Sequence, residues 1–249
     1  MSDRTRDDDL GQTQQFQSTR WSVVLAARGC DSDEAREALA ELCRAYWYPL
    51  YAFVRRKGCD AESAQDVVQG FFARLLEKGD LASVDRAKGR FRSFLMASCS
   101  HFLSNQSDRD RAKKRGGGRT PISIDGLEAE SRFGMEAAHD LTAERLFERR
   151  WAITLLDNVH SAVQAEMTRV GKSRQFEALR SALLGGAEGR LRYAQIAVEL
   201  GISEEASRAA AHRLRGRYRE LLRAEVARTV DDPAEVEDEI RSLFAALSG

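Results

Sequence analysis

Apolar residues recur along this chain three or four positions apart, and strict alternation is nearly absent, which predicts helices and no sheet. The first stripe begins at Thr19, with Trp21, Val24 and Leu25 on one face. A longer one, Ala35, Leu39, Leu42, Cys43, Tyr46, Trp47, Leu50, Phe53 and Val54, predicts a helix from about Asp33 to Lys57, ended by Gly58. Pro49 falls inside it and predicts a kink or local break, because proline lacks the amide proton and crowds the preceding turn. Asp60 or Ala61 opens a third helix that buries Val67, Val68, Phe71, Phe72, Leu75 and Leu76, ended by Gly79. A loop to Lys88 leads into a fourth, Gly89 to Lys114, apolar at Phe91, Phe94, Leu95, Cys99, Phe102 and Leu103. Gly116-Gly117-Gly118, with Pro121 close behind, cannot continue a helix. Helical periodicity resumes near Leu141 with Leu146, Phe147, Trp151, Leu155, Leu156 and Val159. The pattern predicts an all-α protein of two helical domains, 19–115 and 141–230, joined by a flexible linker over 116–140. A polar tail, 1–18, precedes them. An acidic C-terminal tail, 231–249, follows, mildly amphipathic at Ile240, Leu243, Phe244 and Leu247.

Residues 191–223 carry the most chemical information. The stripe Tyr193, Ile196, Ala197, Leu200 stops at Gly201, a residue that can take the left-handed backbone ending a helix. Ser203 follows as an N-cap, and Glu204 and Glu205 sit where the helix dipole favours acids. A second stripe then runs Ala206, Ala210, Leu214, Tyr218, Leu221, Leu222. Two short helices about a glycine turn form a helix-turn-helix, the second helix of which can enter a DNA major groove.

Composition alone argues against a nucleic-acid partner, since the formal net charge is zero. Distribution reverses that conclusion. Between Arg86 and Arg119 stand ten bases and two acids, a net +8; from Arg208 to Arg223 stand six arginines and one glutamate, a net +5. The four cysteines, Cys30, Cys43, Cys59 and Cys99, form no C-x-x-C pair, and Cys43 and Cys99 lie in apolar stripes as reduced core residues. No metal and no cofactor is expected. Neither a nucleophile elbow nor a glycine loop between strand and helix is present, so the chain does not read as an enzyme. The N-terminal residues lack the apolar core of a signal peptide and no run approaches membrane-spanning length; a cytoplasmic location and no membrane partner are expected.

The order of these pieces resembles the extracytoplasmic-function (ECF) sigma factors of bacterial RNA polymerase, within the sigma-70 family. Asp60-Ala61-Glu62-Ser63-Ala64-Gln65-Asp66-Val67-Val68-Gln69-Gly70-Phe71-Phe72 is similar to the family's region 2.2, Gly89-Arg90-Phe91-Arg92-Ser93-Phe94-Leu95 to the start of region 2.3, the basic stretch ending at Arg115 to region 2.4, and the helix-turn-helix to region 4.2. The resemblance covers about Trp21–Lys114 and Trp151–Val230. It implies a protein that binds core RNA polymerase through Asp60, Asp66 and Gln69 and directs promoter recognition, melting and initiation. Downstream-element and melting contacts would come from Phe94, His101, Asn105, Arg109, Arg111, Lys113, Lys114 and Arg115. Upstream-element contacts would come from Ser203, Arg208, His212, Arg213, Arg215 and Arg217. Stacking faces, amide and imidazole edges and backbone-neutralising cations are what opened or flipped bases require.

The sequence departs from the family in places. Where the family's recognition helix usually carries branched apolar residues this chain has Ser207 and Ala211, which predicts light anchoring. Phe94 stands where the family often has tryptophan, and His101 where it has asparagine. The family also implies a controlling partner, an anti-sigma factor or a regulatory kinase. Two other readings compete: a stand-alone helix-turn-helix regulator that binds DNA without polymerase, and a polymerase-binding adaptor.

Overall fold

The computed structural model describes residues 33–77, 90–113, 129–134, 141–183, 189–230 and 232–248, with backbone alone for 33–42, 76–77, 107–113, 181–183 and 189–192. Among the described residues every element is helical and there is no strand. In chain order these are α1 (Asp33–Arg56), α2 (Ala61–Glu77), α3 (Phe91–Lys113), a short helical segment at 129–134, α4 (Ala143–Arg169), α5 (Ser173–Leu183), α6 (Gly189–Leu200), α7 (Glu204–Ala227), a 3-10 turn (Pro233–Glu235) and α8 (Val236–Ser248). The expected helix at Thr19, the stop at Gly79 and Cys30 lie outside the described residues.

Pro49 does not break α1, which runs through it to Arg56. Tyr46, Leu50 and Phe53 on either side of it are almost completely buried in one cluster, and that burial outweighs the loss of one backbone hydrogen bond. Gly58, with φ of +100°, ends the helix as its position predicts.

Among the described residues, two clusters of buried side chains form the interior. The larger takes residues from α1, α2 and α3, then Ala129 and Phe133, then the first half of α4, Leu222 and Val226 of α7, and Leu243 of α8. The smaller holds Val163, Phe176, Leu179, Ile196, Ala210, Ala211 and Leu214, the interior of the helix-turn-helix part. Two helices belong to both. α4, 27 residues long and so about 40 Å, buries Phe147, Trp151 and Val159 in the first cluster and Val163 in the second. α7 buries Leu214 in the second and Leu222 and Val226 in the first. Continuous helix, rather than loop, therefore joins the two clusters.

Within the expected linker, residues 129–134 dock on α1. Tyr51 Oη donates to Glu130 Oε2 at 2.6 Å, Arg55 grips both Glu130 oxygens at 2.9 and 2.5 Å, and its guanidinium lies 4.8 Å from the centre of the Phe133 ring. The Arg55 hydrogen bonds hold the Glu130 carboxyl below the usual glutamate range. A carboxylate with a lowered folded-state pKa contributes stability that is present above its unfolded value, about 4.3, and lost as pH falls through the folded value. Glu130→Gln is accordingly expected to flatten the acid side of a melting-temperature profile between about pH 5 and 3; an acid limb as steep as that of the parent chain would show that this contact contributes nothing.

The C-terminal residues 236–248, expected as an acidic tail, form α8, packed on α4 and α7. Leu243 is completely buried, and so, nearly, is Glu239. Glu239 pairs with Arg92, itself only 2% exposed, and with Arg90 at 3.0 Å. The Arg92 guanidinium sits 4.4 Å above the Trp151 ring, with Glu148 at 3.6 Å. The free thiols Cys43, Cys59 and Cys99 face or adjoin this interior, and burial pushes Cys99 up to about 12.

Candidate nucleic-acid interface

The helix-turn-helix forms as the local sequence dictates. Gly201, at φ +67°, closes α6; its amide donates to Val198 O at 3.3 Å and that of Ile202 to Ala197 O at 3.0 Å, the paired bonds of a Schellman motif. Ser203 Oγ accepts from the Ala206 amide at 3.1 Å and caps α7, with Glu204 and Glu205 in its first turn. Ser207, Ala210, Ala211 and Leu214 point inward at positions i, i+3, i+4 and i+7, all but fully buried. Arg208, His212 and Arg213 are left on the outer face and are exposed.

Small residues anchor this helix, as the sequence predicts, and one of them is strained in the polar sense. Ser207 Oγ is buried without a hydrogen-bond partner. Removing a buried hydroxyl that has lost its water and gained nothing relieves its desolvation cost. Ser207→Ala should raise stability by about 1 kcal/mol, measured as a shift in urea midpoint at constant slope; a loss of stability would mean the hydroxyl is satisfied in solution.

The nominated upstream residues do not form a single outward surface. Ser203 is spent on the cap. Arg208 pairs with Glu204 one turn back along α7. Arg215 is half-buried and donates to Tyr193 Oη on α6 at 2.6 Å. Arg217 forks onto Glu166 of α4 at 2.8 and 2.6 Å and reaches Glu220 at 3.0 Å, and its hydrogen bonds hold the Glu166 carboxyl below the usual range. His212 and Arg213 are exposed side by side, with Arg219 farther along the helix.

Between α2 and α3 lies a groove of about 220 Å³ that gathers several of the downstream candidates. Phe94, His101 and Asn105 line it, together with Phe71, Arg74, Leu75, Ser98 and Phe102. Phe71 and Phe102 meet edge to face at 6.0 Å, and the Arg74 guanidinium lies 5.9 Å from the Phe102 ring centre. Gly70 lies against this ring: a Cβ there would stand 3.4 Å from the Phe102 ring edge, about ordinary contact distance. His101 and Asn105 are exposed on the rim; Phe94 and Phe102 are half-buried. A flat apolar wall edged by imidazole, amide, hydroxyl and guanidinium groups can hold a planar ring by stacking and read its edge by hydrogen bonds. Arg109, Arg111 and Lys113 continue along the same helix, while Lys114 and Arg115 lie outside the described residues.

No family model, characterised protein or solved structure matches the chain. Arg74 was missed in the sequence because it belongs to the acidic helix α2. Its place at the groove follows from how α2 pairs with α3, which periodicity within either helix does not specify.

Two further placements alter the charge map. Arg90 and Arg92, counted within the first basic stretch, turn towards Glu239 of α8 and leave that surface. On α2, Asp66 and Gln69 are exposed almost one turn apart. Asp60 instead caps the helix: its Oδ1 accepts from the Ser63 amide at 2.8 Å, which holds its carboxyl below the usual aspartate range.

Proposed function

We propose that this chain is an ECF-type sigma factor: it binds core RNA polymerase, reads a promoter at two elements, and helps open the duplex, without being a catalyst itself. The observation that carries the reading is the capped helix-turn-helix. Its inward face is apolar or small, and its outward face presents Arg208, His212 and Arg213. Arginine to guanine edges is the commonest specific major-groove contact, and His212 adds a second hydrogen-bonding group one residue away. Arg217 and Arg219, farther along, suit phosphates, which position the helix without specifying sequence.

The groove between α2 and α3 supports the second half of the reading. Its aromatic wall of Phe71, Phe94 and Phe102 suits an unpaired base, and His101, Asn105 and Arg74 stand at its rim. The basic run through Arg109, Arg111, Lys113, Lys114 and Arg115 would carry the backbone of the opened strand. Asp66 and Gln69, on the exposed side of α2, offer an acidic and amide face to a basic partner helix of the polymerase. In this reading the protein works in the cytoplasm with promoter DNA and polymerase as partners, under an anti-sigma factor or kinase.

Run-off transcription from a genomic fragment library, with core polymerase and the full-length chain, tests this. Initiation at a defined set of sites is expected, reduced at least tenfold by Arg213→Ala. Absence of site-specific initiation from the parent chain would overturn the reading. Binding to an inverted repeat by the chain alone would replace it with a stand-alone regulator.

A further inference from the structure

We infer that the groove between α2 and α3 selects guanine among unpaired bases, with Arg74 as the residue that makes the choice; the inference rests on the DNA-reading role proposed above. Among the described residues that line the groove, Arg74 alone carries a permanent charge, and none is a carboxylate. Arg74 comes from α2 and stands beside the aromatic wall, its guanidinium 5.9 Å from the centre of the Phe102 ring. Ser98, His101 and Asn105 come from α3 and share one face of it, at positions i, i+3 and i+7. A base laid on the wall therefore meets a pure donor from one helix and a row of groups able to accept from the other.

Guanine is the base that suits both. A guanidinium has N–H donors and no acceptor. The neighbouring O6 and N7 of guanine are both acceptors and take it bidentately, the commonest specific pairing of a side chain with a base. The ring N–H and exocyclic amino group of guanine then remain for Ser98 Oγ, Asn105 Oδ1 or an imidazole nitrogen. Adenine sets an amino group beside its N7, donor against donor. Cytosine can offer Arg74 its N3 and O2, but its far edge is two C–H groups and leaves the α3 row unmet. Thymine turns a methyl group towards that row. Stacking on the phenylalanine rings accepts every base, so discrimination falls to the polar groups, and Arg74 is the one of them with a fixed demand.

The test uses the full-length chain bound to core polymerase, measured against core polymerase alone, and fluorescent oligothymidines that carry one central guanine, adenine or cytosine. Guanine should bind at least about fivefold more tightly than the other two, the lower end of what one bidentate contact contributes. 7-Deazaguanine, which lacks the N7 acceptor, should lose most of that preference, a readout that needs no variant of the chain. Arg74→Ala should bring the three bases within about twofold of one another. Arg74→Lys should not restore the preference, because an ammonium is a point charge without the planar fork. No preference for guanine, a preference for another base, or a guanine preference that survives 7-deazaguanine or Arg74→Ala overturns the inference and leaves the DNA-reading role standing. Free GMP that binds as tightly as the guanine oligonucleotide overturns the unpaired strand as the source of the base. Absence of binding by every oligonucleotide beyond that of core polymerase overturns both.

Discussion

Replacing Glu239 with alanine is expected to cost 3–5 kcal/mol of folding stability, an effect at the upper end of what one substitution does. The reason is the charge left behind. Arg92 is 2% exposed and stacked on Trp151, with Glu239 against it and Glu148 farther off at 3.6 Å. Burial already pulls its guanidinium below the usual arginine value, the mark of a cation short of solvent. Without Glu239 it keeps one partly exposed carboxylate and cannot reach water without disturbing the core that α1, α3, α4 and α8 share. Against a total of roughly 5–15 kcal/mol, such a loss unfolds much of the protein near physiological temperature. Urea unfolding followed by circular dichroism measures it. The double variant Arg92→Met, Glu239→Leu should recover most of the loss, because removing both charges abolishes the desolvation cost while keeping volume. A single-variant loss below about 1 kcal/mol would show that water reaches Arg92 in solution.

The largest functional effect expected is that of salt. On the function proposed above, promoter binding by the polymerase-bound chain should fall roughly a thousand-fold between about 50 and 200 mM monovalent salt, the behaviour of a protein making on the order of six phosphate contacts. The cations available are Arg208, Arg213 and Arg219 on α7 and Arg109, Arg111 and Lys113 along α3. Arg217 contributes only if the duplex displaces Glu166, which it grips through two bonds. Charge-neutral glutamine at Arg111 and Lys114 together should lower the salt slope by about 1.5 to 2, whatever the promoter sequence, because phosphate contacts carry no base information. An unchanged slope would remove the basic stretch from the interface.

Helix type and the turn at the recognition element were legible in the sequence because local rules govern them. Gly201 takes a left-handed backbone at little steric cost, Ser203 can bond the amide three residues on, and Glu204 and Glu205 suit the positive end of a dipole; each of these acts within one turn. The inward place of Ser207 and Ala211 was implied by the family resemblance; the stripe itself set Ala206 inward, and in the fold Ala206 is exposed while Ser207 beside it is buried, because the packing of α7 turns the helix by about one residue. The continuity of α1 through Pro49 did not, because the burial that overrides a proline comes from other helices.

The destination of each charge was least legible. Arg90, Arg92, Arg208, Arg213, Arg215 and Arg217 look alike in the sequence, members of two basic stretches. In the fold Arg213 stays on the outer face, Arg208 pairs along its own helix, and Arg215 and Arg217 lie against α6 and α4. Arg90 and Arg92 meet a glutamate about 150 residues away. Arg74, on the acidic helix, reaches the aromatic groove.

By itself, then, the sequence determined the all-helical class, the helix-turn-helix with its cap and stop, and the apolar faces of α2, α3 and α4, since each depends on spacing within a few residues. Tertiary structure alone decided that α4 and α7 run through both buried clusters, that the chain's acidic end is a packed helix, and which cations face outward. Those outcomes depend on which helices lie side by side, and a guanidinium on a long side chain turns to whatever carboxylate the packing brings within reach.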